Sequence, residues 1–172
     1  MVGVCGRLTA QTNVPLPLPA NAPAAKAKPP TEIDSDSADF DLNLHLAVYR
    51  GHVLVVDPKV RLTCEWMLVT LPQGGEHLSH VVAATNVVVD FTNEQGEKYH
   101  VTAAQAVYDY KVVNTVTNES VTFTGNPVVD TTNSTIYSEP MVWDRAANKF
   151  HFTEPRMVSK DTGTNGPAQK LF

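Results

Sequence analysis

"VTFTGNPVVDTTNSTIYSEPMVWDR", residues 121–145, alternates apolar and polar positions and breaks at Gly125-Asn126-Pro127. It then alternates again, turns through polar residues, and ends on Trp143-Asp144-Arg145. Alternation built on Val, Thr, Ile and Tyr is the pattern of strands with one face buried, and Gly, Asn and Pro mark the places where such strands break. The stretch reads as a pair of short strands joined by a polar turn and entered through a sharp break.

The pattern recurs. Residues 49–69, "YRGHVLVVDPKVRLTCEWMLV", and residues 83–109, "AATNVVVDFTNEQGEKYHVTAAQAVYD", carry it, and "FTEPRMV", 152–158, begins it again. Gly51-His52-Val53, Thr85-Asn86-Val87 and Gly125-Asn126-Pro127 align at the break, with Glu154-Pro155 a looser match. Leu62-Thr63-Cys64, Val101-Thr102-Ala103 and Ile136-Tyr137-Ser138 align further on, and Val69, Tyr108 and Trp143 close the units. Length differences fall in turns such as "NEQGEK", where insertions are tolerated. One such unit cannot cover its own apolar face, but a stack of them buries a continuous interior.

Alternation also assigns faces. Leu62, Cys64 and Leu68 share a parity, as do Val101, Ala103 and Val107, and Ile136, Ser138 and Val142. The other parity is polar at Thr63, Glu65, Thr102, Tyr137 and Glu139, then apolar at Met67, Ala106 and Met141. Apolar residues on both parities after about residue 65 predict that each strand turns a corner and changes its buried side, and Pro140 fits a bend there. "TAAQAVYDYKVV", 102–113, contains alanines that permit a helix, but its Val and Tyr residues favour a strand. The interior is expected to be lined by Leu62, Leu68, Val101, Val107, Phe123, Ile136, Val142, Phe150 and Phe152.

The motifs "TGNPVV", "RLTCEWMLV", "HVTAAQAVYD" and "PMVWDR" resemble the OstA-like family, the periplasmic bridge proteins of lipopolysaccharide transport (LptA and its relatives). The likeness spans about residues 47–158 and rests on three recurrences in order. It implies an all-β fold, a β-jelly-roll of stacked antiparallel strands open as a V-shaped β-taco. It further implies periplasmic location, a role in outer-membrane biogenesis, and an apolar groove that shields lipopolysaccharide acyl chains. Cys64 stands where the family pattern has Ala, Pro127 where it has Val, and the last unit lacks Gly-Asn.

Composition sets the limits. The 172 residues carry a net charge of −5, which argues against a nucleic-acid or anionic-membrane binder. No run approaches the roughly 18 apolar residues of a spanning helix, so the chain is expected not to span a membrane. Residues 1–40, rich in Pro, Ala and Asp, are expected to be a disordered tail, and Leu8-Thr9-Ala10-Gln11 looks like the end of a secretory cleavage site. The domain is expected at 41–160, with a flexible C-terminus at 161–172. Cys5 and Cys64 are an improbable disulfide pair and do not identify the compartment.

No enzyme chemistry is expected. His77 and His80 have the spacing of a metal pair but sit near Gly74-Gly75 without a partner cluster, which reads as a solvated turn. Asp57, Asp90 and Asp130 recur after valine runs, as turn residues do. No nucleophile elbow, phosphate loop or zinc signature is present, so neither cofactor nor metal is expected. Two functions remain: lipid carriage in the groove, or a non-catalytic structural or interaction module with a closed packed core. A stacked array has two exposed end rungs, expected at 44–51 and 149–158, so other OstA-like domains are expected as partners through head-to-tail edge pairing.

Overall fold

The computed structural model describes residues 31–72, 77–93 and 95–160. The alternating segments all form strands, in chain order β1 (Glu32–Asp34), β2 (Ser37–Asp41), β3 (Leu46–Asp57), β4 (Val60–Thr70), β5 (His80–Thr92), β6 (Lys98–Val113), β7 (Val116–Thr124), β8 (Val128–Asp130), β9 (Ser134–Tyr137), β10 (Met141–Asp144), β11 (Lys149–Phe152) and β12 (Arg156–Ser159). The stretch 102–113 lies within β6, so the Val and Tyr residues outweigh the alanines. Among the described residues every pairing is antiparallel, and the twelve strands make one open sheet.

The breaks in the repeat are the corners of that sheet. Three of them hold two consecutive residues of positive φ: Gly51-His52 (74° and 46°), Thr85-Asn86 (67° and 53°) and Gly125-Asn126 (79° and 58°). Glu154 alone (47°) marks the fourth. The β3–β4 register passes from Arg50↔Trp66 to Val53↔Cys64, leaving Gly51 and His52 opposite Glu65 alone. In β5–β6 it passes from Ala84↔Gln105 to Val87↔Ala103. Two residues against one is a bulge, which bends the strand and changes the buried parity. At Gly125 the left-handed backbone already disfavours a side chain, and a Cβ would overlap that of Ala104.

Lines of corners divide the sheet into two arms. The first holds β1, the second half of β3, the first half of β4, the second half of β5, the first half of β6, and then β8, β9 and β12. The second holds β2, the complementary halves of β3–β6, and β7, β10 and β11. The architecture is the open β-taco form of the jelly-roll. Its interior contains the buried cluster that includes Val53, Met67, Val87, Val101, Phe123, Val129 and Met141.

Corner side chains recur in role. Cys64 Sγ–H donates to the Trp66 carbonyl (3.3 Å), and the Ser138 hydroxyl reaches the Pro140 carbonyl (2.9 Å), each two residues on. Ser138 Oγ also accepts from Thr153 N–H (2.8 Å), tying the third corner to the fourth. Burial pushes the Cys64 thiol up, so it stays a protonated donor. This accounts for a small polar side chain at places where the family pattern has Ala. The Glu139 carboxylate accepts from Gly125 N–H (3.3 Å) and Asn126 N–H (2.6 Å), satisfying two donors that the corner turns away from the ladder.

The N-terminal boundary is earlier than composition indicated. β1 and β2 lie within the segment read as tail and pair with the two halves of β3, so the first rung is 32–41 rather than 44–51. Backbone pairing to an existing edge orders even an Asp-rich segment, because the ladder satisfies its donors and acceptors whatever its side chains. The last rung is β11 and β12, as expected. Residues 1–30 and 161–172 lie outside the described residues.

Candidate functional site: the interior groove

Residues opposite one another in a ladder project to the same face, so the registers identify the groove walls. Across the first arm, Ile33, Val55, Leu62, Val89, Val101, Val129, Ile136 and Met157 form one row. Across the second arm, Tyr49, Met67, Ala83, Ala106, Phe123, Met141 and Phe152 form a row beside the corner. Further out run Ala47, Val69, Val81, Tyr108, Val121, Trp143 and Phe150.

Between the arms lies a cavity of about 430 Å³. Its walls include Ile33, Val55, Leu62 and Val89 from the first arm and Met67, Val69, Val81, Val121 and Trp143 from the second. That volume is within the roughly 300–1,000 Å³ of small-ligand sites. A larger hollow of about 600 Å³ lies at the far end of the first arm among Asp57, Lys59, Arg61, Asp90, Lys98, His100 and Asp130. It is walled by the first arm alone, whereas the smaller cavity is enclosed by both arms, so the smaller cavity is the candidate site.

An aromatic stack bridges the arms. Phe91, in β5 on the first arm, lies on Trp143, in β10 on the second, with ring centroids 3.9 Å apart and planes 17° apart. Tyr99 stacks on Phe91 (4.8 Å) and Phe150 lies beside Trp143 (5.9 Å). The groove is therefore closed by rings along part of its length.

One side of the cavity is polar. Arg145 Nη1 pairs with Glu119 Oε1 (2.8 Å), and the Tyr108 hydroxyl donates to the same oxygen (3.2 Å). The Arg145 guanidinium lies 5.3 Å from the Trp143 ring and 5.9 Å from the Tyr108 ring. Burial, reinforced by the Glu119 charge, pushes the Tyr108 phenol well up, so it remains a donor.

Of the expected lining residues, Leu62, Val101, Phe123, Phe150 and Phe152 pack in or against the interior, and Ile136 shares the row of Val129. Leu68, Val107 and Val142 are on the outer face. Their chain neighbours Met67 and Val69, Ala106 and Tyr108, and Met141 and Trp143 point inward, and alternation turns the residue between them out. The corner had reversed the parity, and the inward side past it belongs to Met67, Ala106 and Met141. Phe91, Tyr108, Trp143 and Arg145 escaped sequence reading as site residues, although Tyr108 and Trp143 stood out as the closing residues of two units.

His77 and His80 do not converge on a common site. The His77 ring packs on Tyr110 (4.9 Å), whereas His80 Nδ1 meets Asp109 Oδ1 (3.0 Å). Asp90 and Asp130 face outward, bound to His100 (2.6 Å) and Lys160 (2.8 Å).

A family model described as "LptA/(LptD N-terminal domain) LPS transport protein" matches residues 32–149. Among solved structures, the chain is similar to LptH, the LptA homologous periplasmic component of the lipopolysaccharide transport device from Pseudomonas aeruginosa. The identity is 18% and the TM-score 0.63, with 75% of this chain and 94% of that chain covered. Among curated proteins, none matches the chain by sequence.

Proposed function

Because the chain belongs to the LptA/LptD N-terminal-domain family of lipopolysaccharide transport proteins, we propose that it is a periplasmic carrier whose groove shields lipid acyl chains on their way to the outer membrane. The observation that carries this reading is the apolar cavity between the arms of an open sheet, walled on one side by a continuous aliphatic row. Moving a methylene from water into such a space contributes about 0.8 kcal/mol, so acyl chains are retained with few polar contacts. Among the described residues, no helix is long and apolar enough to cross a membrane, which accords with a carrier working between membranes.

The sheet ends support assembly into a longer conduit. Among the described residues, β1 and β2 pair only with β3, β11 only with β10, and β12 only with β9, so each end presents backbone groups to a further strand. Copies of this chain or related domains would add head to tail. The stack of Phe91 on Trp143 favours a second reading, an interaction module with a closed core. Mass spectrometry of the gently purified protein separates the two. Co-purified acyl lipid, or uptake of an acyl probe after delipidation, is the expected result, and absence of both would overturn carriage.

A further inference from the structure

Trp143 is 6% exposed and lines the groove, yet its indole N–H is buried with no hydrogen-bond partner among the described residues. Leaving such a donor unmet is costly, because its hydrogen bond to water is lost and not replaced. The neighbouring rings do not relieve it. Phe91 and Phe150 lie within 17° and 10° of the indole plane, and an N–H in that plane does not point at the face of a parallel ring. A phenylalanine would have filled the same stack without the cost.

The surroundings define what would satisfy the donor. An indole N–H only donates, so its partner is an acceptor. Glu119, held by Arg145 and Tyr108, places a carboxylate in the same lining, which disfavours a phosphate or a free carboxylate. The ion pair leaves the cluster near neutrality, and a guanidinium has five N–H donors, more than Glu119 occupies. A neutral oxygen attached to an apolar chain meets all these conditions.

We propose that Trp143, backed by Arg145, forms a hydrogen-bonding subsite for the carbonyl oxygen of an acyl ester or amide whose chain lies in the groove, an inference that rests on the groove reading above. The aliphatic wall holds the chain without direction, and the indole N–H sets how far along the groove its linkage stops. Since the N–H is buried, ligand entry has to uncover it.

The test compares two lipids that differ at one group, 1-dodecanoylglycerol and its ether counterpart 1-O-dodecylglycerol, each below its critical micelle concentration. The native protein should bind the ester about threefold to tenfold more tightly, the effect of one hydrogen bond. Trp143→Phe should abolish that preference, read as the ratio of ester to ether affinity within the same variant. In the unmutated protein, the Trp143 indole proton resonance, separated from that of Trp66 by a Trp66→Phe variant, should move downfield with the ester and not with the ether. Equal binding of both lipids, or a preference that survives Trp143→Phe, overturns the subsite while leaving the groove reading intact. Binding of neither lipid overturns the groove reading and the subsite with it.

Discussion

The two arms are cut from the same strands, yet they are built differently. The inner row of the first arm is aliphatic throughout, from Ile33 to Met157. The second arm carries Tyr108, Trp143 and Phe150 on its inner face and ends in Glu119 and Arg145. Their outer faces are reversed in character. Arg61, Asp90, His100 and Asp130 form a charged row outside the first arm, whereas Val48, Leu68, Val82, Val107 and Val142 lie along rows outside the second. The first arm is aliphatic along this row and turns aromatic only at its far end, at Phe91 and Tyr99, and under the proposed carriage the row would hold a chain while the polar groups of the facing wall would orient it.

The comparison breaks most visibly at paired valines of β6. Val101 is fully buried on the first arm, and Val107 is on the outer face of the second. Val101→Asp should cost more than about 4 kcal/mol, because it buries an unpaired charge. Val107→Asp should cost about 1 kcal/mol, the range of strand preference on a partly solvated face. Denaturant unfolding would measure both, and similar losses would show that the parity does not reverse at the corner.

A smaller effect is expected at the corners that create the two arms. Gly125→Ala forces a side chain onto a left-handed backbone and against Ala104, and should cost about 1–3 kcal/mol. Thr85 occupies the equivalent place with a φ of 67°. Thr85→Gly should change stability by less than about 1 kcal/mol, since relief of that backbone offsets the added freedom of the unfolded chain. Equal effects at both corners would mean that the packing around Gly125 is softer than its contacts imply.

The smallest effect concerns acid. Hydrogen bonding from Lys160 and then from Thr135 holds the Asp130 carboxyl below the usual carboxylate value of 3.8. Its folded pKa is depressed, so the stabilisation it lends is present above that value and is lost as pH falls through the lowered one. Hydrogen exchange across that range should show β8, β9 and β12 loosening before β7, β10 and β11, and Asp130→Asn should remove the pH dependence of the difference. His52 behaves oppositely. Its hydrogen bond to Asp36 raises its pKa above 6.5, so the tie between the Gly51-His52 corner and the β1–β2 link is present below that pH and is lost as pH rises through the raised value.

Much of this architecture was legible in the chain. Alternation of Val, Thr and Tyr marks strands whatever their neighbours, and the Gly-Asn type of break marks a corner because few other residues tolerate two consecutive left-handed conformations. Leu62, Val101 and Ile136 aligned in the repeat and occupy one row of the sheet. The inner face beyond each corner was not legible in the same way. Leu68, Val107 and Val142 are as apolar as Met67, Ala106 and Met141, and only the register around the bulge decides which set points inward.

Strand periodicity, the recurrent break and the family resemblance are local properties, and local backbone preference was enough to establish an all-β repeat in this family. The first rung depended on pairing with β3, which could order a segment whose composition alone reads as tail. The stack of Phe91 on Trp143 and the unmet indole N–H depended on two arms meeting. Those residues are 52 positions apart (91 to 143), and contact across such a distance is set by how the sheet bends, which no stretch of strand encodes by itself.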